Sequence, residues 1–447
     1  MPAFAIHTLG CKVNTYESDI IAQQMKNSGF TEVGFTEKAD VYIINTCTVT
    51  NIADRKSRQM LHRAKKMNPS ALIIATGCYV DSVGQGKGSP ENAVDLWIPN
   101  REKSELARTC LRYLSGLRDA EHTDPRKSCR TPGEKDLREN RKYPEGVFLT
   151  ELDGHTRAFI KIEDGCGMFC SYCIIPYVRG NVTARPAEDT VREVKALAES
   201  GIREIVLTGI HLSSMGKQLV NTIREINAVE GIERIRIGSL EPRFITPDVV
   251  AQLSECEKLC PHFHLSLQSG SDRILKAMKR RYSTAEFMES CIQIRKVWPD
   301  AAITTDIIVG FPGETEEDFE ESCAFVRKVM FYEAHIFRYS RRKGTAADLM
   351  KEQLTEKIKA ERSRRLMELT EEQSSGFRAR FLGRELEFLA EETVSYRGTV
   401  YVTGFTKEYI RVILPENGVT WRPGDILKGR AEERADLPNL GEVLVCG

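Results

Sequence analysis

The sequence predicts an α/β protein in three parts. An amino-terminal α/β domain with a parallel sheet is followed by a partial barrel of six β/α repeats and a small carboxy-terminal antiparallel β-barrel. Three observations carry this. β-Branched runs alternate with helical apolar spacing near the amino terminus, the same alternation resumes at Arg157, and the last stretch breaks into short strands between Gly, Pro and Asn turns. The parts are placed at 1–115, 151–375 and 376–447, with a linker at 116–150.

In the first part, Ala3–Thr8, Val41–Asn45 and Ala71–Thr76 read as strands, and each leads to a cysteine: Cys11, Cys47 and Cys78. Tyr16–Asn27 and Asp54–Met67 have helical spacing and stop at Ser28-Gly29 and Asn68-Pro69. A βαβαβ unit places ligands outside the carboxyl ends of its strands, where all three cysteines fall. Gly10 and Gly77 suit a close backbone approach to a bulky ligand. The second helix carries Arg55, Lys56, Arg58, Arg63, Lys65 and Lys66 against Asp54, as either a phosphate-binding or a solvated face. Residues 81–90 read as a Gly/Ser-rich loop. Gly116–Pro144 is charged without apolar periodicity and reads as linker, with Cys129 inside it as no ligand.

The central strands are expected at Ala158–Ile162, Glu204–Leu207, Arg234–Ile237, His262–Leu267, Ile303–Val309 and Glu333–Tyr339. Between them the clearest helices are Thr190–Ser200, Pro247–Leu253, Thr284–Val297 and Glu316–Val329. Six repeats are too few to close an eight-stranded barrel, so the barrel is open, with its site at the carboxyl strand ends. Polar residues gather there: Thr208, Gly209, Ser239, Glu241, Gln268, Ser269, Asp306 and the turn Gly310–Glu314. Capping and turn duties explain some of these singly; their joint placement marks one mouth. Lys351–Gln373 is a charged amphipathic helix. The terminal strands Gly383–Leu389, Tyr396–Thr403, Tyr409–Leu414, Ile426–Ala431 and Glu442–Val445 make a barrel that serves as an oligonucleotide module or a structural cap.

Composition limits the function. The 64 Lys and Arg balance 64 Asp and Glu, so a nucleic-acid partner must be met by local patches. The candidates are the helix with Arg55, Lys56, Arg58 and Lys66, and the cluster Arg338, Arg341, Arg342 and Lys343. Thirteen cysteines, without a leader or a run apolar enough to span a bilayer, predict a soluble protein of a reducing compartment, the cytoplasm, with free or metal-bound thiols and no membrane partner; a monomer is expected. Cys256, Cys260, Cys291, Cys323 and Cys446 read as small buried hydrophobes.

Cys166, Cys170 and Cys173 stand in the stretch Asp164–Cys173 with the spacing C-x3-C-x2-C. Three thiolates so spaced can hold an iron-sulfur cube and leave its fourth iron open. A zinc site would need a fourth ligand, and His211 and Cys256 are distant in sequence. With Tyr172 before the last cysteine, the stretch resembles the signature of the radical S-adenosylmethionine (SAM) superfamily. That resemblance implies that SAM chelates the open iron with Tyr172 near its adenine. Thr208, Gly209, Ser239, Glu241, Gln268 and Asp306 are the expected further cofactor contacts.

Two triads on separate domains suggest two four-iron clusters. The order of parts, with Leu9-Gly10-Cys11-Lys12-Val13-Asn14, Asn45-Thr46-Cys47-Thr48-Val49-Thr50, Gly77-Cys78-Tyr79 and Cys173-Ile174-Ile175-Pro176-Tyr177-Val178-Arg179-Gly180, resembles the methylthiotransferase family over nearly the whole chain. Gly167-Met168 and the Gly/Ser stretch after Tyr79 depart from the usual pattern without removing a ligand. The resemblance implies a tRNA-modifying transferase whose third part is a TRAM domain binding tRNA at the anticodon loop. It further implies that Cys11, Cys47, Cys78, Cys166, Cys170 and Cys173 are catalytic cluster ligands. One SAM methylates a sulfur at the first cluster. The second SAM gives a 5′-deoxyadenosyl radical, and a methylthio group joins C2 of the adenine beside the anticodon. A reductase such as a flavodoxin or ferredoxin, and a sulfur donor, complete the expected partners. His262–Gly270 and Tyr339–Thr345 look most like the branch acting on N6-threonylcarbamoyladenosine; other branches act on isopentenyladenosine or on a ribosomal-protein aspartate. The rival readings are a non-catalytic RNA-binding iron-sulfur protein or redox sensor, and a radical enzyme whose second cluster only passes electrons.

Overall fold

A computed structural model describes residues 1–116, 122–128, 143, 146–152, 154–416, 418 and 420–447. The first sheet is built from β1 (Ala3–Thr8), β2 (Thr31–Glu32), β3 (Val41–Thr46), β4 (Leu72–Gly77) and β5 (Leu96–Ile98). Helices α1 (Lys12–Asn27), α2 (Asn51–Met67), α3 (Cys78–Gly84) and α4 (Leu106–Leu114) accompany it. All its pairings are parallel, in the order β2-β1-β3-β4-β5. Every residue of β3 and β4 is buried, as expected of central strands covered on both faces. The three expected strands are present, and β2 and β5 are too short to show a period.

One expectation fails here. Residues 81–84 of the expected loop 81–90 belong to the helix Cys78–Gly84, because Tyr79, Val80 and Val83 turn one apolar face into the core despite the Gly and Ser around them, while 85–90 are turns and irregular chain as expected. Most of the expected linker, including Cys129, lies outside the described residues. Its described part holds α5 (Pro125–Ser128), and the carbonyl of His122 accepts from the Trp97 amide at 2.8 Å.

The central strands are β6 (Arg157–Lys161), β7 (Glu163–Asp164), β8 (Thr183–Ala184), β9 (Glu204–Thr208), β10 (Arg234–Ile237), β11 (His262–His264), β12 (Ala302–Val309) and β13 (Glu333–Arg338). Sheets β6-β9-β10 and β11-β12-β13 are parallel, and parallel bridges Ile235–Leu259 and Leu240–Leu265 join them into one open six-stranded wall. The helices are α6 (Ile175–Arg179), α7 (Ala187–Glu199), α8 (Lys217–Asn227), α9 (Pro247–Ser254), α10 (Asp272–Ala277), α11 (Thr284–Val297) and α12 (Glu316–Val329). Ile205, Leu207, Ile235, Ile237, Ile303 and Ile307 pack into the main core. Strand alternation therefore turns Glu204, Arg236, Thr304, Asp306 and His335 toward the lumen. The expected strand His262–Leu267 ends at His264: the Thr305 hydroxyl takes over the pairing by binding the Leu265 carbonyl and the Leu267 amide, and Gln268 turns to φ 67°.

The last helix, α13 (Glu356–Ala379), packs along β13 and leads into β14 (Glu385–Tyr396), β15 (Thr399–Thr406), β16 (Arg411–Pro415), β17 (Ile426–Leu437) and β18 (Gly441–Cys446). They close a barrel in the order β14-β15-β16-β18-β17. The expected all-antiparallel pattern is corrected at one seam, where β16 and β18 run parallel because β18 returns from its hairpin with β17 to close the ring. This barrel stoppers the amino-terminal end of the central strands. Arg234 donates to the Phe405 carbonyl at 2.8 Å, and Arg236 to the Thr406 and Lys407 carbonyls at 2.6 and 2.8 Å. No described helix is long and apolar enough to cross a membrane.

Buried charges tie the amino-terminal part to the wall. Arg179 donates to Glu17 and Asp164, both at 3.0 Å, and to Asn14 at 2.7 Å. Lys161 reaches Glu17 at 2.8 Å, and Lys103 pairs with it from the other side. Burial opposes the charge on Glu17, but Arg179, Lys103 and Lys161 hold its carboxyl well below the usual carboxylate range. A second tie is Arg342, which donates to Thr48 (2.6 Å), Asp54 (2.8 Å) and Asn51 (2.9 Å).

Removing one partner of a buried pair strands the other, whereas an exposed pair contributes little. Arg342→Met is expected to cost about 3 kcal/mol in urea unfolding of the full chain. Arg341→Met, whose partner Asp348 is on its own loop, is expected to cost under about 1 kcal/mol. Equal costs would contradict the assignment of Arg342 as an interdomain tie.

Candidate active site

Cys11 caps the start of α1, Cys47 follows β3 and Cys78 opens α3 directly after β4. These three strands are neighbours, so their carboxyl ends bring the thiols to one edge. Gly10 has φ +109°, and a Cβ there would stand 3.0 Å from Cys47 Cβ and 3.2 Å from its sulfur. The loop therefore accepts only glycine where it wraps the thiol. Burial, then the nearby Cys78, pushes the Cys47 thiol up to about 12; burial also raises Cys78, with Arg179 and Lys103 opposing. The thiols influence one another, so they face a common space. Stripped of a metal, Cys47 and Cys78 stay protonated, and a metal would take the place of those protons.

The second triad lies between β7 and α6. Met168 N–H points at Cys166 Sγ at 3.4 Å, and Arg280 Nη1 at Cys170 Sγ at 3.2 Å. Such N–H···S contacts stabilise thiolates bound to iron. Burial raises Cys166 to about 11 and Cys173 to about 12. The loop is tightly wound: Gly165 has φ +87° with the Asn181 backbone against its open side, and Phe169 takes φ 47°. Each triad offers three free thiols, the number that holds a cube and leaves one iron open.

The other expected contacts separate into two groups. Tyr172 packs beside Phe311 and Tyr339 next to the central triad, and Glu241 accepts from Arg280 at 2.6 Å within electrostatic reach of Cys166. Gly209, after Thr208 at the end of β9, lies where a Cβ would stand 2.7 Å from Glu163 Oε2. Ser239 is exposed after β10, and Gln268 turns back through its amide to the Asp306 carbonyl. Asp306 itself faces His264 at 3.5 Å and shares a cluster with His335, all three ligand atoms lying within 4.8 Å of one another.

Sequence reasoning missed Glu163, His264, His335 and Lys12. Glu163 Oε2 accepts from the His211 amide at 2.6 Å, while its buried Oε1 has no partner among the described residues. An orphaned carboxylate oxygen near Cys166 fits the ammonium of SAM. Its signal was an acid next to the Asp164-Gly165-Cys166 motif. The basic patches also change. Arg342 is buried in the interdomain tie, Arg58 faces Glu91 at 3.6 Å and Lys65 faces Asp95 at 3.3 Å. Arg55, Lys56, Lys66, Arg338 and Lys343 remain exposed.

Residues 160–326 match the Radical SAM superfamily model, and residues 3–99 match the Uncharacterized protein family UPF0004 model. Among solved structures, the radical S-adenosylmethionine methyltransferase TsrM from Kitasatospora setae superposes with a TM-score of 0.56 at 14% identity, covering 75% of this chain and 73% of that one. The fold is that of a radical SAM protein. The Threonylcarbamoyladenosine tRNA methylthiotransferase MtaB of Bacillus subtilis is 37% identical, covering 92% of this chain and 90% of that protein. The protein of that name from Aquifex aeolicus is 40% identical over 87% of this chain and 92% of its own length. The tRNA-2-methylthio-N(6)-dimethylallyladenosine synthase of Methylacidiphilum infernorum is 33% identical over 100% and 96%. The chain belongs to the methylthiotransferase family, whose cofactors are SAM and two 4Fe-4S clusters.

Burial, then Asp164, pushes Glu163 up to about 8 against its backbone donors. A carboxyl raised in the folded state contributes stability that is full below its ordinary 4.5 and lost as pH rises through about 8. Urea unfolding of SAM-free protein is therefore expected to show Glu163→Gln gaining on the parent from pH 5 to 8 and levelling above. A constant difference across that range would show an ordinary carboxyl.

Proposed function

We propose that this protein adds a methylthio group to C2 of N6-threonylcarbamoyladenosine at tRNA position 37, next to the anticodon. The observation that carries the reading is the pairing of two three-thiol sites across one buried ion network, on a chain 37 and 40% identical to two relatives named for this reaction. In this reading Cys11, Cys47 and Cys78, from the unit 1–115, hold one cluster. Cys166, Cys170 and Cys173, from the unit 151–375, hold the other.

When bound, the two clusters and SAM supply a sulfur site and a 5′-deoxyadenosyl radical. The chain supplies placement. Arg280 donates to Cys170, Glu163 and Glu241 offer carboxylates to the SAM ammonium, and Tyr172 offers its ring to the adenine. The terminal TRAM-like unit 376–447 and the exposed Arg55, Lys56, Lys66, Arg338 and Lys343 hold the tRNA, whose unpaired anticodon bases can be splayed into a site without melting a helix. A flavodoxin- or ferredoxin-type reductase supplies electrons and a sulfur donor restores sulfur, with the protein working as a cytoplasmic monomer.

Nucleoside mass spectrometry of tRNA from a strain lacking the gene is expected to show threonylcarbamoyladenosine without its methylthio form, and reintroduced gene is expected to restore it. Loss of the methylthio form of isopentenyladenosine instead would move the substrate to the other branch. In the reconstituted protein, replacing Cys166, Cys170 and Cys173 by Ala is expected to leave about half the iron and abolish SAM cleavage. Replacing Cys11, Cys47 and Cys78 is expected to leave cleavage and abolish product. Full iron in either triple variant would refute its triad.

A further inference from the structure

On the inner face of the wall, cations and imidazoles gather around a few acids. Arg157 pairs with Glu204 at 2.7 Å and Glu391 at 2.6 Å, Arg236 with Glu204 at 2.9 Å, and Arg234 with Glu387 at 3.2 Å. Three guanidiniums thus meet three carboxylates. Lys12, exposed to the open lumen, is a cation without such a pairing: it lies within electrostatic reach of Arg157, Arg236 and Glu204 and has no hydrogen bond or salt bridge to any described residue. It is also the residue after Cys11, so it reaches inward from the loop of the first triad.

Imidazoles complete the group. His262 lies within reach of Lys12, Arg236, His264 and His335, and Tyr409 from the terminal barrel stands 5.1 Å from it, ring to ring. His264 and His335 stack at 6.0 Å. His264 is oriented by Thr304 at 3.0 Å and Asp306 at 3.5 Å, which uses up the acid on that side. Glu333, the remaining acid on this face, lies near His335 and Arg378.

Resting on the threonylcarbamoyl reading, we propose that Lys12, with N–H donors from His262 and His335, binds the free carboxylate of the threonylcarbamoyl group and so selects this modified adenosine. An amino-acid substituent carries one negative charge, which the Lys12 ammonium, without an ion pair among the described residues, can match. An alkyl substituent on the same nitrogen would bury that ammonium without a partner, so the site discriminates in both directions. Because Lys12 adjoins Cys11, recognising the carboxylate also brings the adenine toward the first triad.

The test uses the reconstituted full chain and anticodon stem-loop RNAs bearing threonylcarbamoyladenosine as the free acid or with its carboxyl converted to the amide. Fluorescence anisotropy is expected to show the parent binding the acid roughly 10- to 100-fold more tightly than the amide, the range of one charge-assisted contact. Lys12→Met is expected to bind both as weakly as the parent binds the amide, with iron content unchanged, and Lys12→Arg to recover part of the preference. His335→Phe, remote in sequence from either triad, is expected to lose part of it. Equal binding of acid and amide by a parent chain that converts the acid RNA overturns this inference alone; so does a Lys12→Met chain that still discriminates. One equivalent of zinc that is bound by the parent and absent from His335→Phe would also overturn it, assigning His264, Asp306 and His335 to a metal. A parent chain that converts isopentenyl RNA and not the acid RNA defeats the substrate reading beneath it.

Discussion

The guanidinium of Arg179 is the constraint on which the site depends. It closes α6, six residues after Cys173, and binds Asn14 and Glu17, which follow Cys11 on the first turns of α1, together with Asp164 just ahead of Cys166. Burying so many charges is expensive, and well-packed apolar residues could have joined the domains as firmly. What the ions add is direction: a bidentate fork accepts its partners in one geometry. The other two loops of the first triad are tied as well. Arg342 binds Thr48 beside Cys47, and Gln85, next to the helix of Cys78, donates to the Tyr177 carbonyl at 2.5 Å. Every loop that carries a thiol of the first triad is thus fixed to the domain that carries the second.

The terminal barrel has a larger part in the site than an appended RNA module would. Its hairpin at Phe405–Tyr409 seals the lumen through backbone carbonyls bound by Arg234 and Arg236, and Tyr409 lies 4.6 Å from the Arg236 guanidinium. Detaching it would take away the carbonyls that Arg234 and Arg236 bind and leave Arg236 to Glu204 alone. The floor of the lumen and the terminal barrel are therefore one structure.

Local periodicity carried most of the fold. Thr284–Val297 and Glu316–Val329 were legible to the residue, because amphipathic spacing is flanked by capping boxes at Ser283 and Thr315. The six central strands and the cysteine triads were legible for the same reason: each is a short-range pattern. Partners distant in sequence were not. Arg342 read as a surface charge until Asp54, 288 residues away, came to meet it. The parallel seam between β16 and β18 has no local mark. The helix at Cys78–Gly84 was hidden by composition, since the glycines and serines of 82–89 outweighed three apolar residues that only burial reveals. Glu163 and His335 belong to no motif, His264 stood in a family-like stretch without a role, and lumen-facing alternation becomes informative only once the inner face is known.

The central claim is that the buried network sets the separation of the two triads, and pulsed electron paramagnetic resonance between the two reduced clusters measures it directly. The parent protein is expected to give one narrow distance distribution. Arg179→Met with both clusters retained is expected to broaden it, with less methylthio product per 5′-deoxyadenosine formed. An equally narrow distribution in that variant would contradict the account.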